Sequence, residues 1–269
     1  MCFSWPFLSP DGLLIRSSAM AVAPIDLRGD PLTAAAIGSS ALIAATLTHE
    51  ALGHGTMCLA LGGTAVIYPF SMQCTVDRPE MVAAGPLANL IVGLLLWMGL
   101  KSRLPQPPVH AHYFLWLTMA FNLFEFAGYL ALGAVTGFGD WAVLLASLHT
   151  GWRAGLAVLA ALLYYGFMHA VASAGSAFLA RDSGLLIWSY AAAGAVASAA
   201  GLLTPLGGSY VWVAVAASFG AGFGLIVIRD WDRNEPARPV TRNSGWVIGS
   251  AVTVAIFVFI VSRGLKMQR

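Results

Sequence analysis

Seven stretches of about 20 mostly apolar residues decide what this chain can fold into. A helix of about that length crosses the hydrocarbon core of a bilayer, and in lipid a helix satisfies its backbone polar groups within its own segment. Charged residues make up only 10% of the sequence, whereas a soluble domain carries roughly 25%. The sequence therefore predicts an all-α, multi-pass integral membrane protein with about seven transmembrane helices. The stretches run from about 33–60, 81–100, 113–134, 154–178, 185–205, 209–228 and 245–262.

The connections between these stretches differ in character. Residues 61–80 contain the β-branched residues Thr64, Val66 and Ile67, and such residues favour strands. A short membrane-associated β-hairpin or strand segment is therefore predicted after the first helix. Residues 229–244 mix arginines with acidic residues and form a sizeable polar loop.

Charge and cysteine content exclude other classes of protein. The net charge is +2, and the basic residues lie in short clusters between apolar runs, so nucleic-acid binding is not expected. The partner that the composition requires is the lipid bilayer. The cysteines are Cys2, Cys58 and Cys74. Because their number is odd and Cys58 lies in an apolar run, neither a disulfide framework nor a zinc knuckle is expected.

Three ionisable residues lie within six positions of the first apolar stretch: His49, Glu50 and His54. Ionisable groups inside a membrane span are costly and usually functional. The metalloprotease motif His-Glu-x-x-His places its histidines four residues apart on one helix face, but here the spacing is five. A regular helix would separate the two imidazoles by about 140° around its axis.

Three interpretations of this cluster are open. A π-bulge at the flexible Gly53 would bring His49 and His54 to one face of the helix. Alternatively, Glu50 and His54 are the ligands in a regular helix, and Glu50 is then no free base. Finally, all three could be polar residues bonded between helices.

A family resemblance appears beyond this cluster. Leu61-Gly62-Gly63 and a strand-like stretch are followed by Ala83-Ala84-Gly85-Pro86-Leu87-Ala88-Asn89 at the start of the second helix. In this order and spacing, the segments resemble the site-2 protease family of intramembrane zinc metalloproteases. The resemblance covers about 33–141. It implies an N-terminal segment at 1–30, a site-2-protease-like core of three transmembrane helices at 31–141, and four additional helices at 142–269 with the charged loop at 229–244.

The resemblance also implies roles for individual residues. A zinc ion would be bound by His49, His54 and Asp140, with Glu50 as the general base. Four residues of the second and third motifs would contact the substrate: Gly85, Pro86, Asn89 and Asn122.

The third ligand departs from the family pattern. The motif Asn-x-x-Pro-x-x-x-x-Asp-Gly supplies its final Asp to the metal, but here Asn122 is followed by Glu125 at the proline position and Leu130 at the Asp position. Asp140 follows two glycines, which let the backbone fold back towards the first helix. We therefore expect the Asp140 carboxylate within about 3–5 Å of a histidine nitrogen, and Glu125 orienting a histidine. The alternative for Asp140 is a helix N-cap.

The function implied by the resemblance is hydrolysis of a peptide bond in or near a transmembrane segment of a membrane protein, by a zinc-dependent intramembrane endopeptidase. The substrate helix would unwind and add as a strand to residues 64–68. One alternative is a catalytically silent protein that keeps the fold and binds membrane segments. Another is a small proton-coupled transporter with a relay through His49, Glu50, Glu125 and His169. The sequence does not indicate the oligomeric state.

The orientation of the site is open at the level of the sequence. Of the 14 lysines and arginines, nine lie on the N-terminal side of the predicted helices and five on the opposite side. Positive charge favours the cytoplasm, so this count places the N-terminus there and the end of the first helix, near His49, away from it. The resemblance instead implies a metal site near the cytoplasmic face.

Overall fold

The computed structural model describes residues 29–103, 105–179, 184–231 and 238–268. Within these ranges the chain is mostly helical, and seven helices are long and apolar enough to cross a membrane. The predicted multi-pass membrane fold is thus confirmed. The predicted N-terminal segment at 1–30 lies outside the described residues except for its last two. The helices are α1 (Pro31–Ala60), α2 (Pro79–Lys101), α3 (Val109–Thr136), the short α4 (Asp140–Leu145), α5 (Thr150–Ala174), α6 (Leu185–Leu203), α7 (Tyr210–Ile228) and α8 (Ser244–Arg263).

The helix ends have local causes. Asp30 caps α1, where its Oδ2 accepts hydrogen bonds from the Thr33 backbone N–H (2.7 Å) and hydroxyl (2.6 Å), and Pro31 occupies the first turn, where it is well tolerated. Gly137 ends α3 in the left-handed conformation, with φ of 70°. Helix α5 ends at Ala174 rather than at the predicted 178, because the chain turns at Gly175, where the Trp116 ring leaves no room for a Cβ.

Helix α3 lies at the centre of the bundle. Of its most apolar stretch 72% is buried, against 17% for α5 and 22% for α8, which therefore form the lipid-facing periphery. Between helices in lipid, packing and hydrogen bonds replace the hydrophobic effect. The indole N–H of Trp116 donates to the Val171 carbonyl (2.8 Å), and Tyr113 is bonded to Ser189 (2.8 Å), which donates to the Ala34 carbonyl (2.9 Å). These bonds fix α3 against α5, α6 and α1.

A three-stranded antiparallel sheet lies at one end of the bundle. Its strands are β1 (Ala65–Tyr68), β2 (Ser71–Cys74) and β3 (Leu265–Met267), in the order β2–β1–β3. The predicted hairpin after the first helix is confirmed as β1–β2. Strand β3 was not predicted, because its pairing with β1 joins residues about 200 positions apart, and such long-range contacts leave no local signal.

A disulfide joins Cys58 near the end of α1 to Cys74 at the end of β2, with the two Cα atoms 6.0 Å apart. The expectation that no disulfide forms is therefore wrong. The expectation rested on the odd number of cysteines, but two of the three pair with each other. The third, Cys2, lies outside the described residues. The tight turn at Gly63, which approaches both sulfur atoms, brings the end of the hairpin back to the helix.

The connections between helices sort onto two faces of the bundle. On the first, which we name the N-terminal face, the Asp30 N–H donates to the Val240 carbonyl (2.7 Å) and the Arg238 N–H to the Ala177 carbonyl (2.7 Å). On the second, which we name the sheet face, β3 follows α8 and pairs with β1, which follows α1. The seven spanning helices thus alternate in direction.

Candidate metal centre

The two histidines of the first helix lie on one face because the helix changes type there. Residues Thr48–Gly55 form a π-helix, in which each turn holds an extra residue. The Nε2 atoms of His49 and His54 consequently lie 3.1 Å apart. The predicted irregularity near Gly53 is confirmed. Gly53 is also required by packing, since a Cβ there would lie 2.5 Å from the Gly85 Cα of α2.

Asp140 completes the cluster from the first turn of α4. Its Oδ2 lies 2.9 Å from His49 Nε2 and 3.3 Å from His54 Nε2, within the range expected from the sequence. The chain reaches this position through Gly137 and Gly139, whose φ values are positive. The N-cap alternative fails, because the capping position of α4 is Gly139 and no side chain caps the helix. Burial opposes ionisation of Asp140, but hydrogen bonds to His49 and His54 together with their charge lower the pKa of its carboxyl below the usual range.

The geometry of the three side chains suits a metal ion. His49 Nε2, His54 Nε2 and Asp140 Oδ2 lie 2.9–3.3 Å from one another. Neighbouring ligands around a tetrahedral zinc, with bonds of about 2.0–2.1 Å, lie about 3.3 Å apart. Nδ1 of His54 lies 2.8 Å from the Met81 carbonyl. That oxygen can only accept, so His54 carries its hydrogen on Nδ1 and directs the Nε2 lone pair into the cluster.

His49 is held from behind by a buried polar pair. The Asn89 amide nitrogen lies 3.2 Å from His49 Nδ1 and donates to Glu125 Oε2 at 2.8 Å. Asn89 is fully buried and Glu125 is 2% exposed. Glu125 therefore contacts His49 through Asn89, from the side opposite Asp140. Together, α2 and α3 support the histidine that α1 provides.

Glu50 lies beside the cluster without a role in holding it. Its side chain is buried, and its Oε2 has no hydrogen-bond partner among the described residues. Both Glu50 and the cluster open onto a cavity of about 480 Å³. The further walls of this cavity come from β2, from the segment before and within α4, and from the start of α7: Ser71, Met72, Phe138, Val143, Ser209 and Tyr210.

The four residues that the resemblance assigns to substrate lie outside the lining of this cavity. Gly85 faces the His54 ring so closely that a Cβ would overlap the imidazole. Pro86 is buried within α2, and Asn122 is fully buried and donates to the Thr118 carbonyl of its own helix (2.8 Å). Asn89 lies behind His49, and none of the four residues lines the cavity. Gly85 and Asn89 therefore contact the metal-cluster histidines, whereas the hydrogen bond of Asn122 stays within its own helix.

Tyr129 and Tyr210 are among the cavity residues that the sequence analysis did not single out. The Tyr129 ring lies perpendicular to His49 at 5.6 Å between centroids. It follows Glu125 by four residues on the same helix, and this spacing places both side chains on one face of α3. Tyr210, in contrast, reaches the cavity from α7 through tertiary packing alone, for which the sequence offers no signal.

No known protein family, curated protein or solved structure matches this chain. What the chain contains is a multi-span membrane fold with a buried His-His-Asp group that could hold a metal ion.

Proposed function

We propose that this protein is an intramembrane zinc metalloprotease of the site-2 protease type, which hydrolyses a peptide bond in or near a transmembrane segment of a membrane protein. One observation carries the proposal. His49, His54 and Asp140 converge to within 3.3 Å of one another, beside Glu50, whose Oε2 has no hydrogen-bond partner among the described residues. All four side chains face one cavity among membrane-spanning helices. Three protein ligands and an adjacent base match the composition of catalytic zinc sites.

Each residue then has a distinct task. A bound zinc ion would supply the Lewis acidity that lowers the pKa of water and polarises the scissile carbonyl. Glu50 accepts the proton of the attacking water and delivers it to the leaving amine. His54 is oriented by the Met81 carbonyl (2.8 Å) and His49 by Asn89 (3.2 Å).

The sheet supports binding of an extended substrate, but at a different strand from the one expected. Residues 64–68 were expected to receive the substrate strand, and β1 is instead paired on both sides, with β2 and β3. The outer edge of β2 pairs with no strand in the described part of the chain. Ser71 and Met72 of β2 also line the cavity. We therefore place the unwound substrate along β2, by β-strand addition.

The transporter alternative requires His169, and this residue lies away from the buried polar group. A relay through His49, Glu50 and Glu125 would have to continue to His169. The His169 side chain is exposed on α5, and its ring packs against Tyr165 and Trp231. Since α5 forms the lipid-facing periphery, this histidine does not extend the buried polar group.

The test separates metal binding from catalysis. We expect detergent-purified protein to hold about one zinc ion per chain, because the three ligands form a single site. Glu50→Gln should keep that zinc and lower the rate of cleavage of a single-pass model substrate by about 10²–10⁴-fold, the usual contribution of a general base. Elemental analysis and gel-based cleavage measure the two effects.

The matched control is Glu80→Gln, which neutralises an exposed carboxylate at the start of α2. This variant should retain both zinc and cleavage. Loss of zinc in Glu50→Gln would make Glu50 a ligand, and wild-type cleavage without any metal would remove the proposal.

A further inference from the structure

A disulfide at the sheet face indicates on which side of the membrane this face lies. The Cys58–Cys74 disulfide ties the end of α1 to β2, and β2 forms one wall of the metal cavity. Disulfides persist in oxidising compartments outside the cytosol and are rare within it. A disulfide at this position therefore argues that the sheet face lies on the non-cytoplasmic side of the membrane.

The charge distribution is an independent observation on the same question. Each lysine and arginine can be sorted by its position in the sequence relative to the alternating helices. Five fall in the sequence near helix ends that meet at the sheet face or after the last helix: Arg78, Arg153, Arg263, Lys266 and Arg269. Nine precede α1 in the sequence or fall at or between helix ends that meet at the N-terminal face: Arg16, Arg28, Lys101, Arg103, Arg181, Arg229, Arg233, Arg238 and Arg242. Cytoplasmic loops carry the excess of positive charge, so this count also places the sheet face outside the cytoplasm.

The metal cluster lies close to the sheet face. At about 1.5 Å per residue, His49 is roughly 27 Å along α1 from Pro31 but only about 16 Å from Ala60. The cavity walls come from β2, from the 138–143 segment and from the start of α7, all of which belong to this face. The cavity therefore opens towards the sheet face.

From these observations we infer that the metal cavity opens on the oxidising, non-cytoplasmic side of the membrane. This is opposite to the side that the family resemblance implies. A second step rests on the proposed function. The peptide bonds that reach Glu50 then belong to the non-cytoplasmic half of a transmembrane segment or to the residues just beyond it.

The orientation is tested by thiol labelling, which needs neither metal nor cleavage. In a Cys2→Ser background, Ser147→Cys places a reporter in the exposed loop between α4 and α5, on the sheet face, and Gln106→Cys places one in the exposed loop between α2 and α3, on the N-terminal face. A membrane-impermeant maleimide should label Ser147→Cys in intact cells and Gln106→Cys only after permeabilisation. Labelling of Gln106→Cys in intact cells would overturn the inference.

The substrate step is tested by mapping the cut. Fragments of a single-pass model substrate of known orientation, analysed by mass spectrometry, should end in the non-cytoplasmic half of its apolar segment. Cuts in the cytoplasmic half would overturn this step. Absence of any cleavage would count against the proposed protease activity and would leave the labelling result, and with it the orientation, unaffected.

Discussion

At the scale of single residues, the site shows what residue type and spacing can predict. His49, Glu50 and His54 were recognisable because ionisable groups are rare within an apolar span. Asn89 was recognisable too, but its contacts were not. The resemblance assigned it to substrate, whereas the structure places it between His49 and Glu125. A motif identifies a residue, and only the packing of α2 against α1 determines which atoms that residue contacts.

Asn89 is therefore expected to tune metal affinity. A histidine that binds a metal through Nε2 carries its hydrogen on Nδ1, and the Asn89 amide can turn its oxygen to accept that hydrogen bond. Asn89→Ala leaves His49 without this partner. We expect metal affinity to fall by about 10–100-fold, the usual effect of removing such a partner, as measured by competition with a chelator.

The matched control for that variant is Asn122→Ala. Asn122 is equally buried, but its amide donates to the Thr118 carbonyl within α3. It should lower thermal stability to a similar degree without changing metal affinity. Equal losses of metal affinity in both variants would show that Asn89 acts only by supporting the fold.

At the scale of elements, the sequence predicted the π-helix but only part of the reason for it. The five-residue spacing between the histidines required an extra residue per turn for both to face one ion, and Gly53 indicated where the backbone could accept it. The sequence did not show that Gly53 also faces Gly85 across the α1–α2 crossing. Such a close approach needs two glycines from different helices, and their contact is a property of the tertiary structure.

Gly85 is expected to position His54. A Cβ at residue 85 would overlap the imidazole ring, so Gly85→Ala should displace His54 and lower metal affinity by about tenfold or more, as for other losses of ligand support. Gly99→Ala is the matched control on the same helix, since nothing lies within 4 Å of a Cβ there. Because alanine is favoured over glycine in helices by about 1 kcal/mol, neither substitution should weaken the helix by itself. If Gly85→Ala bound metal as well as Gly99→Ala, the close contact would have no role in the site.

At the scale of the whole molecule, the membrane determined what could be predicted. Bilayer thickness sets the length of a span, so the predicted helices agree with the structure to within about four residues, as in 154–178 against Thr150–Ala174. The Cys58–Cys74 disulfide and strand β3 were not predicted. Strand β3 pairs with β1 across about 200 residues, and the disulfide joins β2 to α1 across 16. Neither link has a periodic signature in the sequence.

These two links are expected to act together on the metal site. The disulfide ties β2 to α1, and β3 ties β1 to the end of α8. Removing residues 264–269 deletes β3, and a reducing agent opens the disulfide. Because both links hold one sheet, and links that share a structure are not additive, we expect the two treatments combined to accelerate metal loss by more than the product of their separate effects.

The measurement is the rate of metal release to excess chelator, with and without reductant, in the full chain and in the chain shortened after Arg263. Leu265→Ala is the control for the truncation, because the exposed Leu265 side chain is removed while the backbone pairing of β3 with β1 is kept. It should release metal at the rate of the full chain. Strictly multiplicative effects of truncation and reduction would show that β3 and the disulfide support the site separately. A shortened chain that keeps its metal under reducing conditions would show that the sheet is not needed to hold the cluster, and that the π-helix, Asn89 and Met81 position the ligands without it.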